Sequence, residues 1–320
     1  MTKMQLATTV GAIVLLLFSV NAQAEDKSRA TLFEPGIIST GSEYGVTFSP
    51  DGKVVYFTRG SGIFWARKSG EVWSQPQLTN FSKGEWIKKY ASNAGDIKYF
   101  NWDPVISPDG SKLYFMSHGL VGGRIIDGED GDIDLWFVER EKEGFAGDTW
   151  GAPKHLGNAI NSADHNEGAL GAENDGTIYF FSSGRADGFG AADIYLSRRR
   201  DGKQLPSINI GSPINTPAWE GHVYADPTGG YILFISNFDH PDAYGSCDIY
   251  VSRKTAAGWG QPVNLGPNVN TDQCEITPSL SADGTHLFFG RIENRELDIR
   301  NIYSIELGTT NFYDERQNGD

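Results

Sequence analysis

Positive charge is in short supply in this chain: 27 Lys and Arg stand against 41 Asp and Glu, a formal balance of −14 over 320 residues. A surface of that sign repels phosphate, so a nucleic-acid partner is excluded and docking on anionic lipid is disfavoured. Long apolar runs are lacking too. Beyond Leu6–Val20 no stretch is apolar enough to cross a bilayer, so stable membrane insertion is not expected. Helical periodicity is nearly absent, whereas Gly, aromatic and β-branched residues abound, as an all-β protein requires. The chain has no Gly-x-Ser-x-Gly elbow, no His-Glu-x-x-His, no phosphate-cradling glycine loop and no Cys-x-x-Cys. Its six histidines form no cluster in sequence, so a zinc enzyme would need ligands from distant parts of the chain. Cysteine is down to two residues, Cys247 and Cys274.

The N-terminus carries the three parts of a secretory signal peptide: basic Met1-Thr-Lys3, the short apolar run, and Ala22-Gln-Ala24 ahead of Glu25. As a membrane anchor the run is short. Cleavage after Ala24 is expected, which places the mature protein in the periplasm or outside the cell. No Cys follows the cleavage point, so lipid attachment there is excluded. The expected organisation is a signal peptide at 1–24, one domain at 25–308 and a flexible polar tail at 309–320.

What the chain does have is a repeat. Ser49-Pro-Asp-Gly52 leads into Lys53-Val-Val-Tyr-Phe-Thr58, and Ser107-Pro-Asp-Gly110 into Leu113-Tyr-Phe-Met116. Glu173-Asn-Asp-Gly176, Asp226-Pro-Thr-Gly229 and Ser281-Ala-Asp-Gly284 lead into equivalent runs, so the copies start 58, 66, 53 and 55 residues apart. Each copy reads as strand, tight turn, strand, because Asp or Asn with Gly supplies the turn and the aromatic and β-branched run supplies the strand. A third strand begins at Gly62, Asp134, Asp193, Asp248 and Asn301, and an outer strand reads Trp-x-x-Pro-x-x-Leu at Trp73–Leu78, with relatives at Trp150–Leu156 and Trp259–Leu265. A period of this length built only from strands predicts an all-β, single β-propeller. Five four-stranded blades are expected, with six as the alternative if Asn80–Phe100 hides another. The fifth copy lacks its outer strand, so the N-terminal Leu32–Ile38 is expected to complete it and close the ring.

The Ser-Pro-Asp-Gly turn, the Leu-Tyr-Phe strand, the Asp-Ile-Tyr strand and Trp-x-x-Pro-x-x-Leu together resemble the TolB-like, WD-like β-propeller repeats of bacterial envelope proteins, over residues 32–308. The resemblance implies periplasmic interaction modules, propeller domains of peptidases, or lyases acting on acidic sugars.

In a propeller the inner-strand starts and the loops between second and third strands share one face. Six residues before each turn stand Glu43, Asn101, Glu167, Glu220 and Glu275, with Asp103 two residues beyond Asn101. Basic or polar side chains at the ends of the second strands are Arg59, His118, Arg185, Asn237 and Arg291. Carboxylates gathered at one channel mouth repel one another unless cations, protons or these bases offset them. They are therefore either a site or a set of locks between strands. Trp102, His165, Trp219 and His222 add the rings and imidazoles a sugar pocket would use, although both tryptophans could equally pack between blades. Two carboxylates facing each other could cleave a glycosidic bond, with Arg185, His222 or Arg291 assisting. Asp127, Asp130 and Asp132 place oxygens at near-alternating positions where calcium could bind, without matching the twelve-residue calcium loop. Asp134, Asp193 and Asp248 read as acceptors for backbone amides. Cys247 and Cys274 fall on the same face of adjacent blades, so a disulfide is expected, worth about 3 kcal/mol.

The leading functional reading is a binding module, recognising a protein partner or an envelope glycan through the channel-mouth face. It is expected to be monomeric and to require no cofactor, with a divalent metal such as calcium as an option. The alternatives are a carbohydrate-active enzyme (a glycoside hydrolase or polysaccharide lyase) using the acid ring, and a metal-dependent lactone or ester hydrolase.

Overall fold

The five turns, four ending in Asp-Gly and one in Thr-Gly, each join two antiparallel strands, and the pattern repeats at every copy. The computed structural model describes residues 29–82, 100–118, 133–142, 148–237 and 242–313. The signal-peptide segment, Asp127, Asp130, Asp132 and residues 314–320 lie outside the described residues, as does the side chain of His118.

The described residues form an all-β fold of repeated, blade-like sheets. Repeat 1 runs Glu43–Phe48, Val54–Arg59, Gly62–Ser69 and Gln77–Leu78 from inner to outer strand. Repeat 2 is Phe100–Ile106, Lys112–His118, Ile133–Lys142 and Lys154–His155. Repeat 3 is Glu167–Ala172, Ile178–Ser183, Ala192–Ser197 and Ile208–Asn209, and repeat 4 is Trp219–Ala225, Tyr231–Asn237, Asp248–Thr255 and Val263–Asn264. Repeat 5 is Cys274–Leu280, His286–Asn294 and Ile299–Glu306, and its outer strand is Thr31–Leu32 from the far end of the chain, paired with Tyr303 and Ser304. That strand is shorter than the sequence suggests. Pro35-Gly36 turns the chain, and the amides of Ile37 and Ile38 bond back to the carbonyl of Glu34 instead.

Between neighbouring sheets lie five separate cores. The second strands feed two cores at once because alternate side chains leave opposite faces. Tyr56 enters the core shared with repeat 2, whereas Val55 and Phe57 enter the one shared with repeat 5. Parallel bridges tie the start of a third strand to the next inner strand: Ala192 to Trp219, Cys247 to Cys274, and Arg300 to Ser42. The second of these carries the disulfide, with Cα atoms 4.6 Å apart. Beyond residue 308 the chain packs further than its polar composition suggests. Phe312 is buried, and Arg253 lies 4.6 Å over its ring while donating to its carbonyl oxygen. Among the described residues no helix is long and apolar enough to cross a membrane.

Every inner strand breaks register at the same height. The shifts fall between Tyr44 and Thr47, Trp102 and Val105, Gly168 and Gly171, Gly221 and Tyr224, and Ile276 and Ser279. The bulged residues Gly45, Asp103, Ala169, His222 and Thr277 all have positive φ, from 36° to 58°. Only the first is glycine, so four side chains are held in a conformation that L residues rarely adopt.

Candidate functional site

The inner-strand acids stand at equivalent places at the starts of four inner strands, and their oxygens are committed. Glu43, Glu167, Glu220 and Glu275 have no exposed surface. Each accepts from the link that enters its own strand. Glu43 takes the Thr40 amide and hydroxyl, Glu220 those of Thr216, Glu275 those of Thr271, and Glu167 the Ser162 amide at 2.9 Å. Guanidinium groups close three of these sites: Arg59 on Glu43 at 2.6 Å, Arg185 on Glu167 at 2.8 Å, and Arg291 on Glu275 at 2.8 Å. In repeat 4 Ser236 donates to Glu220 instead, and Asn237 accepts the Trp219 amide. Asn101 takes the fifth place and accepts from Ser117. Burial pushes the carboxyls of Glu167, Glu220 and Glu275 above the ordinary range, against the pull of these donors.

The links themselves form a motif the strand pattern hides. Asn161-Ser162, Asn215-Thr216 and Asn270-Thr271 recur ahead of Glu167, Glu220 and Glu275. Each Asn brackets a third strand, accepting the amide and donating to the carbonyl of Leu135, Ile194 or Ile249. Each Ser or Thr then holds the Glu. Thrice-repeated Asn-[Ser/Thr] was the sequence signal for the locks.

Two residues beyond the acids, the bulge ring surrounds the axis. A cavity of about 330 Å³ runs from Gly45, Asp103, Ala169, His222 and Thr277 to the turns at Pro50, Pro108, Asn174, Pro227 and Ala282. The acid starts of the strands do not line it; among its lining residues Asp103 is the one acid, and there is no Lys or Arg. Asp103 is 6% exposed, and its Oδ1 has no hydrogen-bond partner. Burial raises its carboxyl to about 7, with Arg300 opposing. His222 is half-buried, faces the cavity, and stacks on Phe181 at 6.1 Å and 6°. Burial first and Arg300 second lower its imidazole to about 3, so it stays neutral, and its Nδ1 lacks a partner. Trp102 and Trp219 are partly buried against the core between repeats 2 and 3 and that between repeats 4 and 5, Trp219 meeting Phe181 at 5.2 Å, and neither lines the cavity. His165 stands on the link before Glu167, away from the cavity lining.

On the face of the acid starts, three consecutive loops present an apolar side chain at one position, four residues before Asp193, Asp248 and Asn301. Phe189 is 55% exposed, Tyr244 48% and Leu297 71%. The first two loops are built alike. Asp193 accepts the amides of Phe189 and Gly190, and Asp248 those of Tyr244 and Gly245. Gly190 lies against the carbonyl oxygen of Ala218 and Gly245 against that of Thr271, leaving no room for a side chain. Asp134 differs: it faces the His155 imidazole at 3.3 Å.

Among the described residues no three metal-ligating side chains converge. The calcium candidates Asp127, Asp130 and Asp132 fall outside them.

No protein-family profile matches this chain. No curated protein matches it either. Solved structures do. An α-L-arabinanase mutant of Cellvibrio cellulosa is similar over 84% of this chain and 92% of its own, at 14% identity and a TM-score of 0.53. A glycoside hydrolase is similar over 87% of this chain and 89% of its own, at 10% identity and a TM-score of 0.51. A TolB-like protein of Agrobacterium tumefaciens is similar over 78% and 70%, at 15% identity and a TM-score of 0.45. At these identities the likeness shows a β-propeller-like fold and nothing finer.

Proposed function

We propose that this chain is an exported binding module that recognises a glycan through the face carrying Phe189, Tyr244 and Leu297. The observation that carries the reading is the recurrence of an exposed apolar side chain at one position of three consecutive loops. Nothing in the packing requires it. Two of the loops are pinned by the same amide-to-carboxylate bonds, so the backbone carrying their rings is fixed, and an aromatic face presented at a lowered ordering cost suits the apolar face of a sugar. The acidic surface favours a neutral glycan over an anionic one. The frame we infer is five four-stranded blades, closed where Thr31–Leu32 completes the last. A disulfide in that frame supports the oxidising compartment to which the N-terminal segment would direct it.

Binding measured by calorimetry against a panel of neutral envelope and plant oligosaccharides tests this. At least one should bind, and Phe189→Ala with Tyr244→Ala should weaken it tenfold or more while leaving the melting temperature unchanged. Binding to none, or binding indifferent to both substitutions, overturns the glycan reading; a protein partner whose capture needs the same two rings would then take its place.

A carbohydrate-active enzyme is the second reading. It draws on neighbours of the same fold that act on sugars and on a buried carboxyl, Asp103, poised to exchange a proton near neutral pH. Against it stand the committed acids, because glycosidic cleavage calls for two carboxyl groups facing one pocket and the cavity has one. New reducing or unsaturated ends in the same panel would establish it. A chelator arm tests the metal-dependent hydrolase.

A further inference from the structure

The axial cavity is separate from the glycan face, and the glycan reading leaves it without a ligand. Its floor holds a carboxyl in an expensive position. Asp103 sits at positive φ, is buried, and has an oxygen with no partner, although its backbone amide is satisfied by Thr58 Oγ1 at 2.9 Å. Structural carboxylates in this molecule are better served: every ring Glu has two or more donors, and Asp134, Asp148 and Asp193, which also keep one oxygen without a partner, have the other engaged. An unpaired, desolvated carboxyl facing a cavity of ligand size is the arrangement of a group waiting for a partner. The walls indicate what partner. They carry no positive charge, so an anion finds nothing to offset Asp103. They mix apolar residues such as Val46, Leu170 and Leu280 with the hydroxyls of Thr47, Ser107 and Ser279, a lining that takes a small carbon body with a polar group more readily than the full water shell of a bare metal ion. Tyr224 and Phe48 add aromatic rings.

We propose that the axial cavity is a binding site for a small organic ammonium compound, held by charge at Asp103, with the unpartnered Nδ1 of His222 as the second polar contact. Ammonium supplies the missing charge and donors, and its carbon body displaces water from the apolar walls. The charged and titratable groups acting on Asp103 are the Arg300 guanidinium and the Tyr44 phenol, and His222 shares the cavity lining with it. Arg300 is already paired with Asp298 at 2.6 Å and lies 4.7 Å over the Tyr44 ring. A ligand whose own charge is fixed should then report the protonation of Asp103 alone.

The test uses choline, its neutral tert-butyl analogue, ethanolamine and calcium chloride, each titrated into the purified chain by calorimetry. Choline or ethanolamine should bind at least tenfold tighter than the neutral analogue. Choline affinity should rise up to tenfold per pH unit between about 5.5 and 6.5 and level off above about 7.5. Asp103→Asn should abolish binding. Asn174→Lys, an exposed change at the cavity mouth, should weaken it severalfold in a protein of unaltered melting temperature. Failure of both cations to bind at millimolar concentration, equal binding of the neutral analogue, full binding by Asp103→Asn, or displacement of choline by micromolar calcium would each overturn the proposal. None of these outcomes bears on Phe189 and Tyr244, so the two sites are judged independently.

Discussion

The Asp103 carboxyl occupies the space where a side chain at Gly45 would begin: a Cβ there would lie 2.5 Å from Asp103 Oδ1 and 2.9 Å from its Cα. The two residues hold equivalent places in neighbouring inner strands, so the bare backbone of one makes room for the acid of the other.

Gly45→Ala is therefore expected to destabilise the protein by roughly 2 kcal/mol or more, through the positive φ of 58° and the contact with Asp103. Urea denaturation reads the loss. In the Asp103→Ala background the same change should cost less, so a double-mutant cycle yields a coupling between these residues and not additivity.

Asp103 also sets a pH dependence. In the unfolded chain it loses its proton near the ordinary value of 3.8, whereas in the fold it holds it up to about 7. The folded state thus keeps a proton the unfolded state has shed, and stability falls as pH rises from about 4 to about 7. The full effect is on the order of 4 kcal/mol. Asp103→Asn should flatten this part of the profile and be more stable than the parent at pH 8. A variant less stable than the parent at that pH would contradict the buried, unpaired state of the carboxyl.

Arg291→Met strips the guanidinium from Glu275 and leaves a buried carboxylate with donors from Thr271 alone. A loss of about 3 kcal/mol is expected at neutral pH. Because burial already raises this carboxyl, the loss should shrink on acidification, when Glu275 protonates and the uncompensated charge disappears. Melting curves at pH 5 and 7.5 would show it.

Replacing both cysteines by Ser should lower stability by about 3 kcal/mol, as expected for opening a closed loop of 27 residues. The fold should survive, since the amide of Glu275 bonds to the carbonyl of Cys247 and that of Ser246 to Gln273 independently of the sulfurs. Near-ultraviolet circular dichroism before and after reduction separates the two outcomes.

The repeat was legible because a turn leaves a chemical mark: Asp51, Asp109, Asp175 and Asp283 stand before glycines whose positive φ the turn demands. Counting back from those turns also found Glu43, Glu167, Glu220 and Glu275. Whether they formed a site or a set of locks depended on residues in the preceding links, Thr40, Ser162, Thr216 and Thr271, and no strand period marks those positions. The bulge ring was harder to see. Gly45, Asp103, Ala169, His222 and Thr277 share a backbone conformation and no chemistry, so nothing in their side chains announces one structural position. Asp103 and His222 were visible as polar residues, but their common height on the axis was not. The exposed series Phe189, Tyr244 and Leu297 stayed hidden for a related reason: an apolar residue in a loop looks like packing until its surface is measured.

The cavity reaches the turns at Pro50, Pro108, Asn174, Pro227 and Ala282, so its mouth opens among the Asp-Gly turns. A partner seated over those turns would cover the mouth and trap the contents, whereas a partner on the Phe189 and Tyr244 face would leave them free to exchange.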